Sequence, residues 1–165
     1  MMKNTIKLFV PLGTQKFPFN RLVKALNVLV ENGTFTPQEI VMQSIIYEEK
    51  PLFSHVGIIP IETFNSYLDN AEIVITHSGV NSIISSMNRN KPLIIIPRLK
   101  KFGEHVDDHQ IEIAELMEQK FNVLIAKDTT QLFTLITKAK HHTYKKYQSR
   151  NAELIEALRD KINEM

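Results

Sequence analysis

At 165 residues the chain is long enough to bury a sizeable core, and its length suits one domain, residues 1–165. A formal charge of +2 gives no strong attraction to nucleic acid or to a membrane as a whole. There is no cysteine, which excludes disulfide and thiol chemistry, and no apolar run reaches the roughly 18–20 residues that span a bilayer.

The N-terminal "MMKNTIKLFVPLG" holds too short an apolar stretch for a secretory signal. A cytoplasmic location is expected, with any membrane contact made at the surface or through a partner. Ile6 to Pro11 is β-branched-rich and reads as a first strand, ending in the loop "PLGTQ". From Phe19, the residues Leu22, Val23, Leu26, Leu29 and Val30 recur at helical spacing, and Asn32-Gly33 stops that helix. Glu39 to Ile46 and Val56 to Ile61 read as the second and third strands, with a short helix near Phe64 to Leu68. Glu72 to Thr76 is a fourth strand, followed by a helix starting near Asn81. "PLIIIP", Pro92 to Pro97, is apolar throughout, as a central parallel strand covered on both faces should be. A helix over Val106 to Gln119, a sixth strand over Asn122 to Ile125 and a helix over Leu132 to Ala139 follow. A longer terminal helix, about 143–163, carries an apolar stripe of Tyr144, Tyr147, Leu154, Ile155, Leu158 and Ile162.

Strands alternating with helices at these lengths predict an α/β fold: a Rossmann-like open parallel sheet with helices on both faces. In such sheets ligands bind beyond the carboxyl ends of the strands, where the strand order reverses. Two loops at that rim carry the chemistry. "THSGVNS" ends the fourth strand and opens a helix. Gly79 allows close approach of backbone to a ligand. Asn81 and Ser82 fall at a helix N-terminus, where free N–H groups favour an anion, and His77 adds a donor able to carry positive charge. The alternative is that Asn81 or Ser82 is a simple N-cap and His77 a loop histidine.

The second loop is "LKKFGEHVDDHQ". Its His105, Asp107, Asp108, His109 and Gln110 suit the neighbouring hydroxyls of a sugar, or else are the cap and first turn of a helix. A metal site on His105 and His109 is set aside, because the helix begins inside the segment and separates the two. No cofactor and no resident metal are expected. Arg98 either neutralises phosphate or caps the sheet edge.

The stretch "ITHSGVNSIISSMNRNKPLIIIPRLKKFGEHVDDHQIEIA" resembles the nucleotide-sugar-binding half of family 28 glycosyltransferases. "LFVPLGTQKFPFNRLVKAL" is similar to that family's opening motif, so the resemblance runs from about Lys7 to Ala114. It is nearest to the small single-domain members, which act in dolichol-linked N-acetylglucosamine transfer and in bacterial capsule or exopolysaccharide synthesis. The resemblance implies the donor-binding half of a GT-B fold, acting on a UDP-sugar without a cofactor. It implies that Gly13, Thr14, His77, Gly79, Asn81 and Ser82 hold the donor diphosphate. Glu104, His109 and Gln110 would contact the transferred sugar. Ser85 stands where related sites place a ribose-binding glutamate, and a serine cannot accept both ribose hydroxyls as a carboxylate can.

The implied reaction is inverting transfer of the sugar to a lipid-linked saccharide, with His77 or His105 as the candidate base, alongside a loop carboxylate or a residue of another chain. A membrane-anchored partner subunit would close the cleft at the inner face of the membrane. The terminal helix would dock that partner or pack on its own domain. The basic run Lys138 to Arg150 would face anionic lipid or solvent. A non-catalytic sugar-nucleotide-binding or regulatory subunit is the alternative, favoured by Ser85. An epimerase of similar fold needs two domains in one chain. A dinucleotide oxidoreductase would need a G-x-G-x-x-G loop after the first strand, and "PLGTQ" is not one.

Overall fold

The computed structural model describes residues 5–145 and 152–163. Six parallel strands, β1 (Leu8–Pro11), β2 (Ile40–Gln43), β3 (Ser54–Val56), β4 (Ile73–Thr76), β5 (Leu93–Ile95) and β6 (Leu124–Ile125), form one sheet in the order β3-β2-β1-β4-β5-β6. The helices are α1 (Asn20–Glu31), α2 (Ile61–Asn70), α3 (Val80–Asn88), α4 (His109–Phe121), α5 (Leu132–Ala139) and α6 (Ala152–Asn163). This is the open doubly wound sheet that the strand and helix alternation predicts.

The alternation of side chains along each strand divides the core in two. On one face Leu8, Val10, Ile40, Met42, Ile73, Ile75, Ile94 and Ile96 pack against Leu22, Leu26 and Leu29 of α1 and Leu132 and Ile136 of α5. On the other, Phe9, Val41, Val74, Leu93 and Ile95 pack against Leu68 of α2, Ile83 and Met87 of α3, Ile113 and Met117 of α4, and Leu158 of α6. That is why "PLIIIP" has no polar position: both faces of β5 are covered. Each such Leu or Ile side chain contributes about 1.5–3 kcal/mol through burial.

Several element boundaries differ from those predicted: β1 starts at Leu8, α2 extends over Ile61–Asn70 and β6 starts at Leu124, and the larger differences are at β2, β3 and α4. β2 stops at Gln43, and Ile45 and Ile46 beyond it are exposed. β3 precedes the apolar run Ile58 to Ile61 instead of including it; Pro60 occupies the N-cap of α2 there, and Ile58 and Ile61 face outward. α4 begins at His109, because a 3-10 turn over Lys100–Phe102 ends at Gly103 in the left-handed region (φ 68°) and the chain needs the next five residues to reach the helix.

The terminal segment is also corrected at its start. Thr143 to Lys145 are not helical, and α6 opens at Ala152. Tyr144 donates its hydroxyl to Lys91 O (2.5 Å), and burial pushes its pKa up to about 12. Lys145 N–H donates to Phe121 O (2.8 Å). With Leu158 in the core, α6 packs on its own domain. Tyr147, the side chains of Leu154, Ile155 and Ile162, and residues 146–150 of the basic run lie outside the described residues.

Candidate functional site

Neighbouring strands β1 and β4 lie where the strand order reverses, so the chain leaves their carboxyl ends toward opposite faces and a crevice opens between the two loops. The loops are tied to the sheet. Thr76 Oγ1 donates to Pro11 O (2.9 Å). Gln43, the last residue of β2, accepts from Gly13 N–H (3.1 Å) and donates to the carbonyls of Gly13 (3.2 Å) and Gly57 (3.3 Å). Gly13 has a φ of 72°, which a side chain would strain. Gln43 was not among the predicted site residues. Its one sequence signal is a polar residue closing the buried run "IVM".

His77 leaves β4 with its ring between the two glycines. A Cβ on Gly79 would lie 2.5 Å from His77 Nε2, and one on Gly13 would lie 3.3 Å away. Gly79 is the N-cap of α3 and has no side chain to cap with, so the helix lacks a side-chain cap, and Asn81 and Ser82 lie in its first turn. The first backbone bond back into this helix is Ile83 N–H to Gly79 O. The simple N-cap reading of Asn81 or Ser82 is therefore not the arrangement present. Burial pushes the His77 imidazole down to about 3, with the nearby Arg98 charge acting in the same direction. The ring, read from the sequence as a donor able to carry positive charge, is thus a neutral donor at neutral pH.

The loop between β5 and α4 departs most from expectation. Glu104 is 1% exposed, and its carboxylate accepts from Arg21 Nε (2.6 Å) and Nη2 (3.0 Å) and from Leu99 N–H (2.8 Å). It pins the loop to α1, and its carboxylate is taken up by these protein donors. Arg98, equally buried, donates to the carbonyls of Phe17 (2.8 Å), Leu12 (3.3 Å) and Glu104 (3.4 Å), its guanidinium 4.9 Å from the Phe19 ring centroid. It stitches the loops after β1 and β5 together; neither phosphate neutralisation nor edge capping describes it. Gln110 is 6% exposed, and its amide is shared among Ser78 N–H, Arg98 N–H and the His77 ring. Here it faces the protein instead of the opening.

His105 Nδ1 sits 3.1 Å from Asp107 Oδ1, and the ring is tilted over Phe17 at 6.0 Å. The same Asp107 oxygen accepts from His109 N–H (3.0 Å). Burial acts to raise the Asp107 carboxyl, but the His109 N–H and the two histidines outweigh it and hold the pKa below its ordinary value. Asp108 accepts from Lys100 N–H (2.9 Å) and makes no side-chain cap to α4. His109 Nδ1 is buried without a hydrogen-bond partner, 3.7 Å from Glu112 Oε2. Among the described residues no three His, Asp or Glu side chains converge as a metal site.

A cavity of about 530 Å³ opens beside this crevice. Its lining combines the small and polar residues Gly13, Thr14, Gln43, Asn81, Ser82 and Ser85 with the apolar Ile58, Ile59, Ile61, Phe64 and Ile84. Five predicted residues thus share one opening; His77 and Gly79 do not line it, and His77 approaches it only through its proximity to Gly13. Glu104, His105, His109 and Gln110 do not line it. The apolar wall was missed because "GIIPI" has the composition of a strand.

The model of the glycosyltransferase family 28 C-terminal domain matches residues 7–165. The chain is 43% identical over 51 residues to the UDP-N-acetylglucosamine transferase subunit ALG13 of Candida albicans, a match covering 31% of this chain and 16% of that protein. The protein of the same name from Yarrowia lipolytica is 29% identical over 77 residues, covering 47% of this chain and 37% of the relative. Both matches span well under half of the relative's length. The NMR solution structure of ALG13 superposes with a TM-score of 0.57 at 20% identity, covering 92% of this chain and 94% of that one. Spinosyn rhamnosyltransferase SpnG, complexed with spinosyn aglycone, superposes at 0.51 and 13% identity over 98% of this chain and 42% of its own. At these identities the two structures speak to the fold alone: an open parallel sheet that spans nearly all of the first chain and less than half of the second.

Proposed function

Because the chain belongs to the glycosyltransferase family 28 C-terminal domain family, we propose that it is the donor-binding subunit of a glycosyltransferase that moves a hexose from a UDP-sugar to a lipid-linked saccharide. Residues 1–165 act as one nucleotide-sugar-binding domain. The observation that carries the reading is the notch at the strand-order reversal: Gly13 and Gly79 converge on the His77 ring beside a helix whose first turn lacks a side-chain cap.

The diphosphate sits against Gly13, Thr14 and the first turn of α3, with Asn81 and Ser82 near it. Backbone N–H groups and the helix dipole favour negative charge there and stabilise the leaving UDP as the glycosidic bond breaks. His77 serves as a neutral donor to the same group. The wall of Ile58, Ile59 and Phe64 suits the flat face of the base, and Ser85 offers the ribose a single hydroxyl. His105, oriented by Asp107, takes the acceptor proton. Attack from the face opposite UDP inverts the anomeric centre. Glu104, His109 and Gln110 are the candidates for contacts to the sugar, each needing a movement of the loop after β5 to reach it.

A membrane-anchored partner holds the acceptor, completes the cleft and places this chain at the inner face of the membrane. The curated relatives are named as subunits of a UDP-N-acetylglucosamine transferase, which makes N-acetylglucosamine the first sugar to test. A capsule or exopolysaccharide hexose is the second. The other reading, a binding or regulatory subunit without chemistry, draws on Ser85 alone.

Calorimetric titration of the chain against UDP and a panel of UDP-sugars, alone and with a candidate partner, tests this. Binding of UDP and of at least one UDP-sugar is expected, with His77→Ala weakening both. Binding of neither in the presence of the partner overturns the donor-site reading. Binding without transfer to a lipid-linked acceptor supports the non-catalytic one.

A further inference from the structure

We infer that Gln110 is a positioning residue for His77: its amide fixes the imidazole as the Nε2–H tautomer, so the ring presents a neutral hydrogen-bond donor to the notch between Gly13 and Gly79. The orientation of the amide follows from its partners. Its oxygen accepts from two backbone donors, Arg98 N–H (2.9 Å) and Ser78 N–H (3.3 Å). Turned the other way, an NH2 group would face two N–H groups and leave both unpaired. The nitrogen end therefore lies 3.2 Å from His77 Nδ1 and has only hydrogens to offer. Nδ1 must supply the lone pair, and a neutral ring then carries its hydrogen on Nε2. That is the nitrogen the two glycines face.

The brace is rigid. Ser78 Oγ donates to the main-chain oxygen of Gln110 (2.7 Å), so the residue after His77 and the second residue of α4 hold each other at both main chain and side chain. The charged and titratable groups acting on the ring are Arg98 and His105, and both oppose an imidazolium. The one carboxylate buried in the neighbouring loop, Glu104, is turned to Arg21. The donor function of His77 is accordingly independent of pH across the ordinary range. What accepts its hydrogen bond rests on the diphosphate reading above; the tautomer does not.

The decisive measurement is long-range 1H–15N NMR of the histidine rings in the full chain, without ligand, from about pH 5 to 8. His77 is expected to show a protonated Nε2 and a bare Nδ1 throughout. A protonated Nδ1, or a ring that charges in this interval, overturns the inference whether or not UDP binds. Gln110→Glu then isolates the donor end, because a carboxylate still accepts from Ser78 and Arg98 but demands a hydrogen from Nδ1. The variant should show protonated Nδ1. Its UDP affinity should be about tenfold or more below that of the parent at pH 8, and the gap should close as pH falls, the parent serving as the reference for protonation of UDP itself. An unchanged tautomer in a folded Gln110→Glu chain also overturns the inference. A changed tautomer with unchanged UDP affinity sustains it and removes His77 from the diphosphate site.

Discussion

The loops after β4 and β5 stand side by side at one rim of the sheet and treat their polar groups in opposite ways. After β5, Arg98, Glu104 and Gln110 are nearly inaccessible, and their side chains are bonded to protein atoms. After β4, His77 and Ser78 are likewise buried and bonded to Gln110, but the first turn of α3 beyond them has no side-chain cap, and small, amide and apolar side chains line the cavity beside it. Polar density alone does not mark a binding surface. The loop richer in charge is the scaffold, and the plainer one is left open.

The largest effect should come from the scaffold. Glu104→Ala leaves Arg21 and the Leu99 N–H without their carboxylate in a buried setting, a loss of about 3 kcal/mol. Urea unfolding measures it. A loss of sugar-nucleotide affinity with stability unchanged would instead return Glu104 to the ligand and erase the contrast between the two loops.

Gly79→Ala tests the open loop. The backbone there has a φ of −81°, so alanine brings no conformational strain. The new methyl meets the His77 ring at 2.5 Å, and the ring must shift out of the notch. A destabilisation of about 2 kcal/mol is expected, with loss of UDP binding by calorimetry. Gly13→Ala, with its longer 3.3 Å approach, should act chiefly through its positive φ.

The two loops also differ in how much of them could be read in advance. The sheet was legible because "PLIIIP" has no polar face, and only a strand covered on both sides tolerates that. The notch was legible because His77 and Gly79 sit together in sequence at a strand end. The scaffold was not. Arg21 and Glu104 are 83 positions apart, and nothing local to either announces a partner. Gln110 reads as a first-turn amide until the fold turns it inward onto His77. The apolar wall was read as strand for a related reason: Ile58, Ile59 and Ile61 have the composition of a buried segment, whereas Ile58 and Ile61 are exposed at a cavity mouth. Composition reports what a residue prefers, and a ligand site is where that preference is left unmet.

Acid should weaken the fold through the residue that joins the two loops. Unfolded, the His77 ring takes up a proton near pH 6.5; in the fold it does so only near pH 3. Between those values the unfolded chain holds more protons, so stability is full above pH 6.5 and falls as the pH falls. The slope approaches about 1.4 kcal/mol per pH unit. Thermal or urea unfolding across this range reads it, and His77→Gln should flatten the acid limb. An unchanged limb in that variant would mean that His77 charges freely and that the loops are less tightly joined than the Gln110 brace implies.

The smallest effect sharpens the open side. Ser85 lines the cavity from α3, one turn past Ser82, and its carbonyl accepts from Arg89 Nη1 (3.1 Å). The family resemblance leads one to expect a glutamate there, accepting from the two ribose hydroxyls. Ser85→Glu should therefore tighten UDP by about 1 kcal/mol, roughly fivefold, and 2′-deoxy-UDP, which keeps only the 3′-hydroxyl, by less. The discrimination carries the information. A gain shared equally by both nucleotides would mean that the carboxylate does not meet the 2′-hydroxyl. A loss for both would mean that Arg89, already bonded to Asp69 (2.6 Å) and Asn65 (3.1 Å), draws the new acid away from the cavity. A selective gain would locate the sugar of the nucleotide against α3, and with it the direction in which the diphosphate runs toward Gly13.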